Sequence, residues 1–232
     1  MNESIKAYCE DIVQEFIENV LPLEYFSRGI LASEGFCFCA FSKFFKVDLI
    51  LESGVYNGLS TTIWSKFFRN IPIIAIDKNL REDAIQRFKL VGNVQLKEGD
   101  SENLLPILIK ENSEKRIAIF IDGPKKLSAI ILASKCLEFE NVVLVGIHDL
   151  CKKSNGLISK TREFLDKSKL IDFYTDDLEF IKRYSFMDST ENFIGNGDEE
   201  LYWQPGGNVS KLCGKVPSFE GHGPTIGFIL RK

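Results

Sequence analysis

The fold of this chain is decided by the stretch Val47-Asp48-Leu49-Ile50-Leu51-Glu52-Ser53-Gly54-Val55-Tyr56-Asn57-Gly58-Leu59-Ser60-Thr61. It begins as a short apolar run that ends at Glu52, and it continues with two glycines ahead of a helix-forming segment. This order is typical of the strand-turn-helix unit of a parallel sheet. Glycine lets the backbone turn tightly and approach a ligand without a Cβ atom in the way. The stretch therefore predicts a buried strand followed by a ligand-binding turn.

Four more apolar runs follow, separated by polar segments of helical length. They occupy residues 73–77, 94–100, 117–122 and 142–149. Near-continuous β-branched runs that alternate with helices indicate a parallel sheet buried on both faces. We therefore predict an α/β fold, a Rossmann-like, doubly wound and mostly parallel sheet, over residues 47–232.

The segments on either side of these runs complete the predicted fold. Residues 4–20 have the apolar spacing of an amphipathic helix, and residues 28–45 form a second helix, so residues 1–46 are a helical extension. This second helix is rich in phenylalanine and more apolar than a surface helix should be. We expect it to pack under the sheet edge or against a second subunit in a homodimer.

The C-terminal part is predicted to add an antiparallel hairpin to the sheet edge. Its strand candidates lie near residues 171–187 and at residues 225–230. The stretch between them, 188–223, is rich in Gly, Asn and Ser and is too long for an idle connection, so we interpret it as a lid insertion. Tyr202, Trp203 and His222 are the lid residues best suited to close over a substrate.

Composition excludes several classes of function. The 232 residues carry a formal net charge of -4, which argues against nucleic acid as a partner because such proteins usually have a basic face. No apolar stretch is long enough for a membrane span, and the start of the chain lacks a signal-peptide pattern. Six cysteines without a CxxC pair favour a reducing, cytoplasmic location.

Each of the five predicted strands ends in an acidic residue. These residues are Glu52, Asp77, Asp100, Asp122 and Asp149. In an open α/β sheet, ligands bind outside the carboxyl ends of the strands, so the five carboxylates should line one rim. Any one of them could instead cap the helix that follows it.

The spacing of the first turn and the second strand indicates an adenosyl ligand. Asp77 lies nineteen residues after Gly58, at the end of the next strand, where a carboxylate can accept both hydroxyls of a ribose. A dinucleotide would need the GxGxxG pyrophosphate turn, which is missing. The Tyr-Lys pair of short-chain dehydrogenases and the GxxxxGK[ST] loop are missing as well.

At this point the chain resembles the class I S-adenosylmethionine-dependent methyltransferases, and within them methyltransferase-domain family 24. The resemblance covers residues 47–150 and rests on the glycine turn, the Ile76-Asp77 strand end, Gly99-Asp100-Ser101, Phe120-Ile121-Asp122-Gly123 and His148-Asp149. It implies S-adenosylmethionine as cofactor and a small-molecule acceptor with an oxygen or nitrogen atom to be methylated.

The resemblance also implies roles for particular residues. Those assigned to the methionine part of the cofactor are Glu52, Gly54, Gly58 and Ser60. Tyr56, Asn57 and Thr61, in the same segment, are expected to belong to the cofactor site as well. Asp77 is assigned to the ribose and Asp100 with Ser101 to the adenine, and Lys78 is expected to belong to the cofactor site. Asp122 and Gly123 end the fourth strand at the boundary between cofactor and substrate.

Asp122, His148 and Asp149 are the catalytic candidates. Methyl transfer requires an aligned acceptor and the removal of one proton, and His148 is the candidate base. Asp122 and Asp149 could instead hold a divalent metal, as in catechol-type relatives, but those relatives carry a further Asn or Asp where this chain has Leu150.

Two departures from the family pattern keep other functions open. Pro124-Lys125-Lys126 replaces a His or Tyr near the substrate, which puts that side in doubt, and Glu140-Asn141 replaces a Gly-Gly turn. The alternatives are a non-catalytic protein that binds an adenosyl ligand, or a nicotinamide- or nucleotide-sugar-dependent enzyme on the same scaffold.

Overall fold

The computed structural model describes residues 3–24, 29–150, 157–188, 193–194 and 225–231. The helices in these ranges are α1 (Glu3–Val20), α2 (Ala32–Phe44), α3 (Leu59–Phe67), α4 (Glu82–Phe88), α5 (Ser101–Glu111), α6 (Leu127–Leu137), α7 (Leu157–Ser168) and α8 (Leu178–Tyr184), with a 3-10 turn at Ser185–Asp188. The strands are β1 (Leu23–Glu24), β2 (Leu49–Ser53), β3 (Ile73–Asp77), β4 (Val94–Glu98), β5 (Ile117–Ile121), β6 (Val142–Ile147), β7 (Phe173–Tyr174), β8 (Phe193–Ile194) and β9 (Gly227–Leu230).

Seven strands form the main sheet in the order β4-β3-β2-β5-β6-β9-β7. The first five strands in this order, β4, β3, β2, β5 and β6, are parallel to one another. Strand β9 runs antiparallel to both of its neighbours, β6 and β7. The predicted mostly parallel, Rossmann-like sheet with an antiparallel C-terminal pair is confirmed. A separate parallel pair joins β1 to β8.

The central strands are buried on both faces because their side chains alternate. Leu49 and Leu51 of β2 belong to an apolar cluster with α5 and α6, whereas Ile50 belongs to the cluster that contains α1, α2 and α3. In β5, Ile119 and Phe120 divide between the same two clusters. This period of two explains why the strands read as continuous apolar runs.

The phenylalanine-rich helix packs inside the subunit. Phe36, Phe38 and Phe41 of α2 are fully buried, and the Phe38 ring lies 5.6 Å from Phe120 of β5 and 4.4 Å from Trp64 of α3. The helix therefore covers the half of the sheet that runs from β5 to the edge strand β7, where the Phe41 ring lies 5.7 Å from Phe173. Its apolar surface is buried against other parts of the same chain. The apolar character of this helix therefore no longer indicates a homodimer.

The expected strand near residues 171–187 is wrong for most of its length. Only Phe173–Tyr174 is a strand, and Leu178–Tyr184 is helix α8. Asp177 begins this helix by accepting a hydrogen bond from the Phe180 amide at 3.1 Å. Phe180, Ile181 and Tyr184 then turn one buried face toward the core. Among the described helices, none has the length and apolar composition needed to cross a membrane.

Candidate functional site

The topology brings four strand ends to one pocket. Chain order reverses between β2 and β5, so the turns that follow β2, β3, β4 and β5 meet outside the carboxyl edge of the sheet. Together they line an open pocket of about 460 Å³, a size typical of small-ligand sites. The lining residues are Gly54, Tyr56, Asp77, Lys78, Asp100, Ser101, Asp122, Gly123, Pro124 and Lys125.

Asp77 organises the turn after β2. Its Oδ2 accepts hydrogen bonds from the amides of Val55 at 2.8 Å and Tyr56 at 3.1 Å, and its Oδ1 accepts one from Asn79 at 3.0 Å. A carboxylate offers about four lone-pair positions, so Asp77 can still accept from a ligand. It therefore holds the turn in place and presents an acceptor to the pocket.

Asp100 and Lys78 form the adjoining wall. Asp100 caps α5 by accepting a hydrogen bond from the Glu102 amide at 2.9 Å, and its Oδ2 lies 3.0 Å from Lys78 Nζ. The bond to Lys78 lowers the pKa of Asp100 and raises that of Lys78. Ser101 follows as the first residue of α5 and is buried against the pocket wall.

Gly54 and Gly58 are each required in the turn for a different structural reason. Gly54 has a φ of +95°, and a Cβ atom there would lie 2.7 Å from the Gly123 amide nitrogen. Gly58 has a φ of +81°, and its Cβ would meet the Phe88 ring of α4 at 2.5 Å. The structure therefore gives Gly58 a packing reason, because a side chain at this position would clash with the Phe88 ring. Neither Gly58 nor the neighbouring Asn57 lines the pocket.

Glu52 lies behind the pocket, in the core. It is fully buried, and its carboxyl group accepts hydrogen bonds from the hydroxyls of Ser60 and of Thr61, the latter at 2.6 Å. Burial raises its pKa to about 8, although the two hydroxyl bonds oppose this shift. These three residues join β2 to α3 and do not line the pocket.

The far end of the pocket holds a cluster of opposite charges. Lys125 Nζ donates a hydrogen bond to Asp122 and lies 2.7 Å from Asp149 Oδ2. Burial lowers the pKa of Lys125, but the two carboxylates outweigh this effect and the net pKa is raised. Burial raises the pKa of Asp122, yet His148 and Lys125 bring it below its usual value.

His148 is enclosed by acidic side chains. Its Nδ1 lies 2.5 Å from Asp122 Oδ1, and its Nε2 lies 3.6 Å from Glu34 Oε2. Burial lowers the pKa of His148, but Asp122, Asp149 and Glu34 together raise it to about 10. A raised pKa favours the protonated imidazole near neutral pH, which argues against the predicted role as a general base.

Glu34 is a site residue that the sequence interpretation missed. It lies in α2, is 1 % exposed, and its carboxylate accepts a hydrogen bond from the Leu31 amide at 2.9 Å. The available signal was a lone acidic residue within a phenylalanine-rich helix, since a buried carboxylate requires partners. Glu34 supports His148 from below the sheet and does not reach the pocket.

Asp122, His148 and Asp149 offer ligand atoms within 4.8 Å of one another, a set that a divalent cation could use. The Lys125 ammonium group already lies between the two carboxylates. Tyr56 and Asp149 also have positive φ values, 48° and 63°, and such backbone strain often occurs at functional sites.

Most of the proposed lid lies outside the described residues, including Tyr202, Trp203 and His222. At its start, Asp188 is buried and accepts hydrogen bonds from the Ser33 amide at 2.8 Å and the Ser33 hydroxyl at 2.6 Å. Phe193–Ile194 pairs with β1.

No protein-family model and no curated protein matches the chain. Solved structures similar to it include the SAH-bound methyltransferase PaMTH1 from Podospora anserina, with a TM-score of 0.44 and 16 % identity over 74 % of this chain and 82 % of that one. An O-methyltransferase from Bacillus cereus in complex with SAH has a TM-score of 0.47 and 17 % identity over 75 % and 82 %.

A third similar structure is the O-methyltransferase TomG from Streptomyces achromogenes in complex with SAM, with a TM-score of 0.47 and 14 % identity over 72 % of this chain and 78 % of that one. All three are methyltransferases, the class that the sequence motifs resemble. These scores and identities are too low for an activity or a ligand to be transferred to this chain.

Proposed function

We propose that this chain is an S-adenosylmethionine-dependent methyltransferase that acts on a small molecule. One observation carries the proposal: residues from four consecutive strand ends line a single pocket at the point where the chain order of the sheet reverses. Asp77 is proposed to accept from the ribose, and Asp100 with Ser101 to contact the adenine. Gly54 and Tyr56 are proposed to border the methionine part.

The charges of the pocket suit this cofactor. Three carboxylates line it, Asp77, Asp100 and Asp122, and its two lysines, Lys78 and Lys125, are each bonded to one or more carboxylates. S-adenosylmethionine carries a sulfonium and an ammonium group against one carboxylate, so its net charge is positive. A pocket with excess negative charge favours such a ligand.

The same charges disfavour a dinucleotide. A pyrophosphate binds to free amides at a helix N-terminus. The first residues of α3, Leu59, Ser60 and Thr61, are buried and do not line the pocket. The nicotinamide alternative therefore lacks a phosphate site at the start of α3, the helix that follows the glycine turn.

The acceptor is proposed to bind at the turn that follows β5. When bound, S-adenosylmethionine supplies an electrophilic methyl group. The residues that face the acceptor side are Asp122, Pro124 and Lys125. Because the raised pKa of His148 favours its protonated form, the proton released by an oxygen acceptor would pass to solvent. We favour an oxygen acceptor because Lys125 can donate a hydrogen bond to it.

Calorimetry with S-adenosylhomocysteine tests the proposal. Asp77→Asn should weaken binding at least tenfold, because one charge-assisted hydrogen bond contributes roughly 1.5–3 kcal/mol. Asp48→Asn is the matched control, since Asp48 precedes β2 and lies at the opposite edge of the sheet, where it accepts from the Arg116 amide. Equal affinities in the two variants would rule out the placement of the ribose.

The remaining partner and location expectations stay part of this proposal. The described cysteines, Cys9, Cys37, Cys39 and Cys136, are buried free thiols, which supports a reducing cytoplasmic location. Burial raises the pKa of Cys9 and Cys136 to about 12, so these thiols are unreactive. The acidic pocket supports a small-molecule acceptor rather than nucleic acid.

A further inference from the structure

Lys125 occupies the position that a divalent cation would need. Asp122, His148 and Asp149 together resemble a ligand set for such an ion, with two carboxylates and an imidazole within 4.8 Å. The Lys125 ammonium group contacts both carboxylates, Asp122 Oδ1 by a hydrogen bond and Asp149 Oδ2 at 2.7 Å. A second cation between them would be repelled by the ammonium charge.

The imidazole is engaged as well. His148 Nδ1 lies 2.5 Å from Asp122 Oδ1, the same oxygen that accepts from Lys125. A metal ligand must present a free lone pair, and this carboxylate oxygen already has two donors. The described residues therefore do not fit a metal in the wild-type chain.

The backbone holds Lys125 in this position. The amides of Asp122 and Gly123 both donate to the Ser53 carbonyl oxygen of β2, at 2.7 and 2.9 Å. The Ser53 hydroxyl donates to the Gly123 carbonyl oxygen. The turn that leads to Lys125 is thus tied to β2 at Ser53, and the two carboxylates hold the ammonium group.

We propose that the Lys125 ammonium group replaces a divalent metal ion at the acceptor end of the pocket. An ammonium group has three N–H donors, and two of them are directed at Asp122 and Asp149. Its side chain is 45 % exposed and lines the pocket, so the third donor can hold an acceptor oxygen. The claim about the acceptor rests on the proposed function, whereas the claim about the cation does not.

Binding of Mn²⁺, measured by electron paramagnetic resonance of the free ion, tests the cation claim. The wild-type chain should leave Mn²⁺ free, whereas Lys125→Ala should bind one ion per chain at least tenfold more tightly. Adding Asp149→Asn to Lys125→Ala should abolish that site. Lys126→Ala is the matched control, because it removes an adjacent exposed lysine that is outside the pocket lining.

Two results would overturn the proposal. The first is that the wild-type chain binds Mn²⁺ and that Asp149→Asn abolishes this binding. The second is that Lys125→Ala folds but binds Mn²⁺ no better than the wild-type chain. Circular dichroism checks folding, and Lys125→Ser replaces the alanine variant if that one is unfolded. Calorimetry with S-adenosylhomocysteine in the presence of a chelator reports separately on the cofactor site, so failure of the proposed function is distinguishable.

Discussion

At the scale of single residues, Glu52 shows how burial changes the chemistry of a carboxyl group. Its side chain is fully buried between β2 and α3, and its pKa is about 8, against an ordinary value of 4.5. Between these two pH values the folded chain keeps a proton that the unfolded chain has lost. Stability from this group is therefore present at low pH and is lost as the pH rises toward 8.

We predict that Glu52→Gln removes this pH dependence. Each pH unit within that window should cost the wild-type chain up to about 1.4 kcal/mol, whereas the neutral amide keeps a hydrogen-bonding group without ionising. Urea unfolding at pH 5 and pH 8 measures the difference. Glu98→Gln, at the exposed end of β4, should leave the wild-type slope unchanged. The same slope in Glu52→Gln as in wild type would contradict the burial argument.

His148 provides a second residue-scale prediction. Its pKa of about 10 follows from the surrounding carboxylates, so its ring should remain an imidazolium at pH 8. Nitrogen chemical shifts from NMR distinguish the imidazolium from the neutral ring, and His148→Gln identifies the signal by removing it. A neutral ring at pH 8 would restore His148 as a candidate base.

At the scale of secondary-structure elements, helix α3 depends on a left-handed residue at its start. Gly58 precedes the helix with a φ of +81°, and its α-carbon faces the Phe88 ring. We predict that Gly58→Ala costs about 2 kcal/mol or more, from the backbone conformation and the displaced ring. Gly92→Ala is the matched control, since a Cβ there meets nothing within 4 Å. Denaturant unfolding of both variants checks this, and equal stabilities would be inconsistent with it.

The elements also show what the sequence could and could not predict. The five parallel strands were predictable because β-branched runs alternate with helical segments. The role of Glu52 was not, because it depends on where β2 ends. The strand continues to Ser53, so Glu52 lies on the same face as Ile50, under the helices. Asp122 follows the last residue of its own strand and reaches the pocket.

The ion pairs of the site were the other feature that the sequence could not predict. Lys125 was visible only as a departure from a family pattern, because its contacts with Asp122 and Asp149 depend on how β5 and β6 align. Glu34 is more than a hundred residues from His148 in sequence, and only the packing of α2 under the sheet brings them together. Local patterns do not contain such long-range contacts.

At the scale of the whole molecule, the sheet order determines where a ligand can bind. The strands β4, β3 and β2 lie on one side of the reversal and β5 on the other, so the carboxyl ends of these four strands share one pocket. The turns at the amino ends of the same strands, near Asp48, Pro72, Asn93 and Arg116, lie at the opposite edge. The central claim is that the adenosyl cofactor binds at the carboxyl edge only.

Hydrogen exchange with and without S-adenosylhomocysteine tests this claim most directly, because it reports both binding and location. The prediction is slower exchange in peptides that cover the turns after β2, β3, β4 and β5, with no change in the turns at the opposite edge. Protection at the opposite edge, or no protection anywhere at a saturating concentration of the ligand, would contradict it.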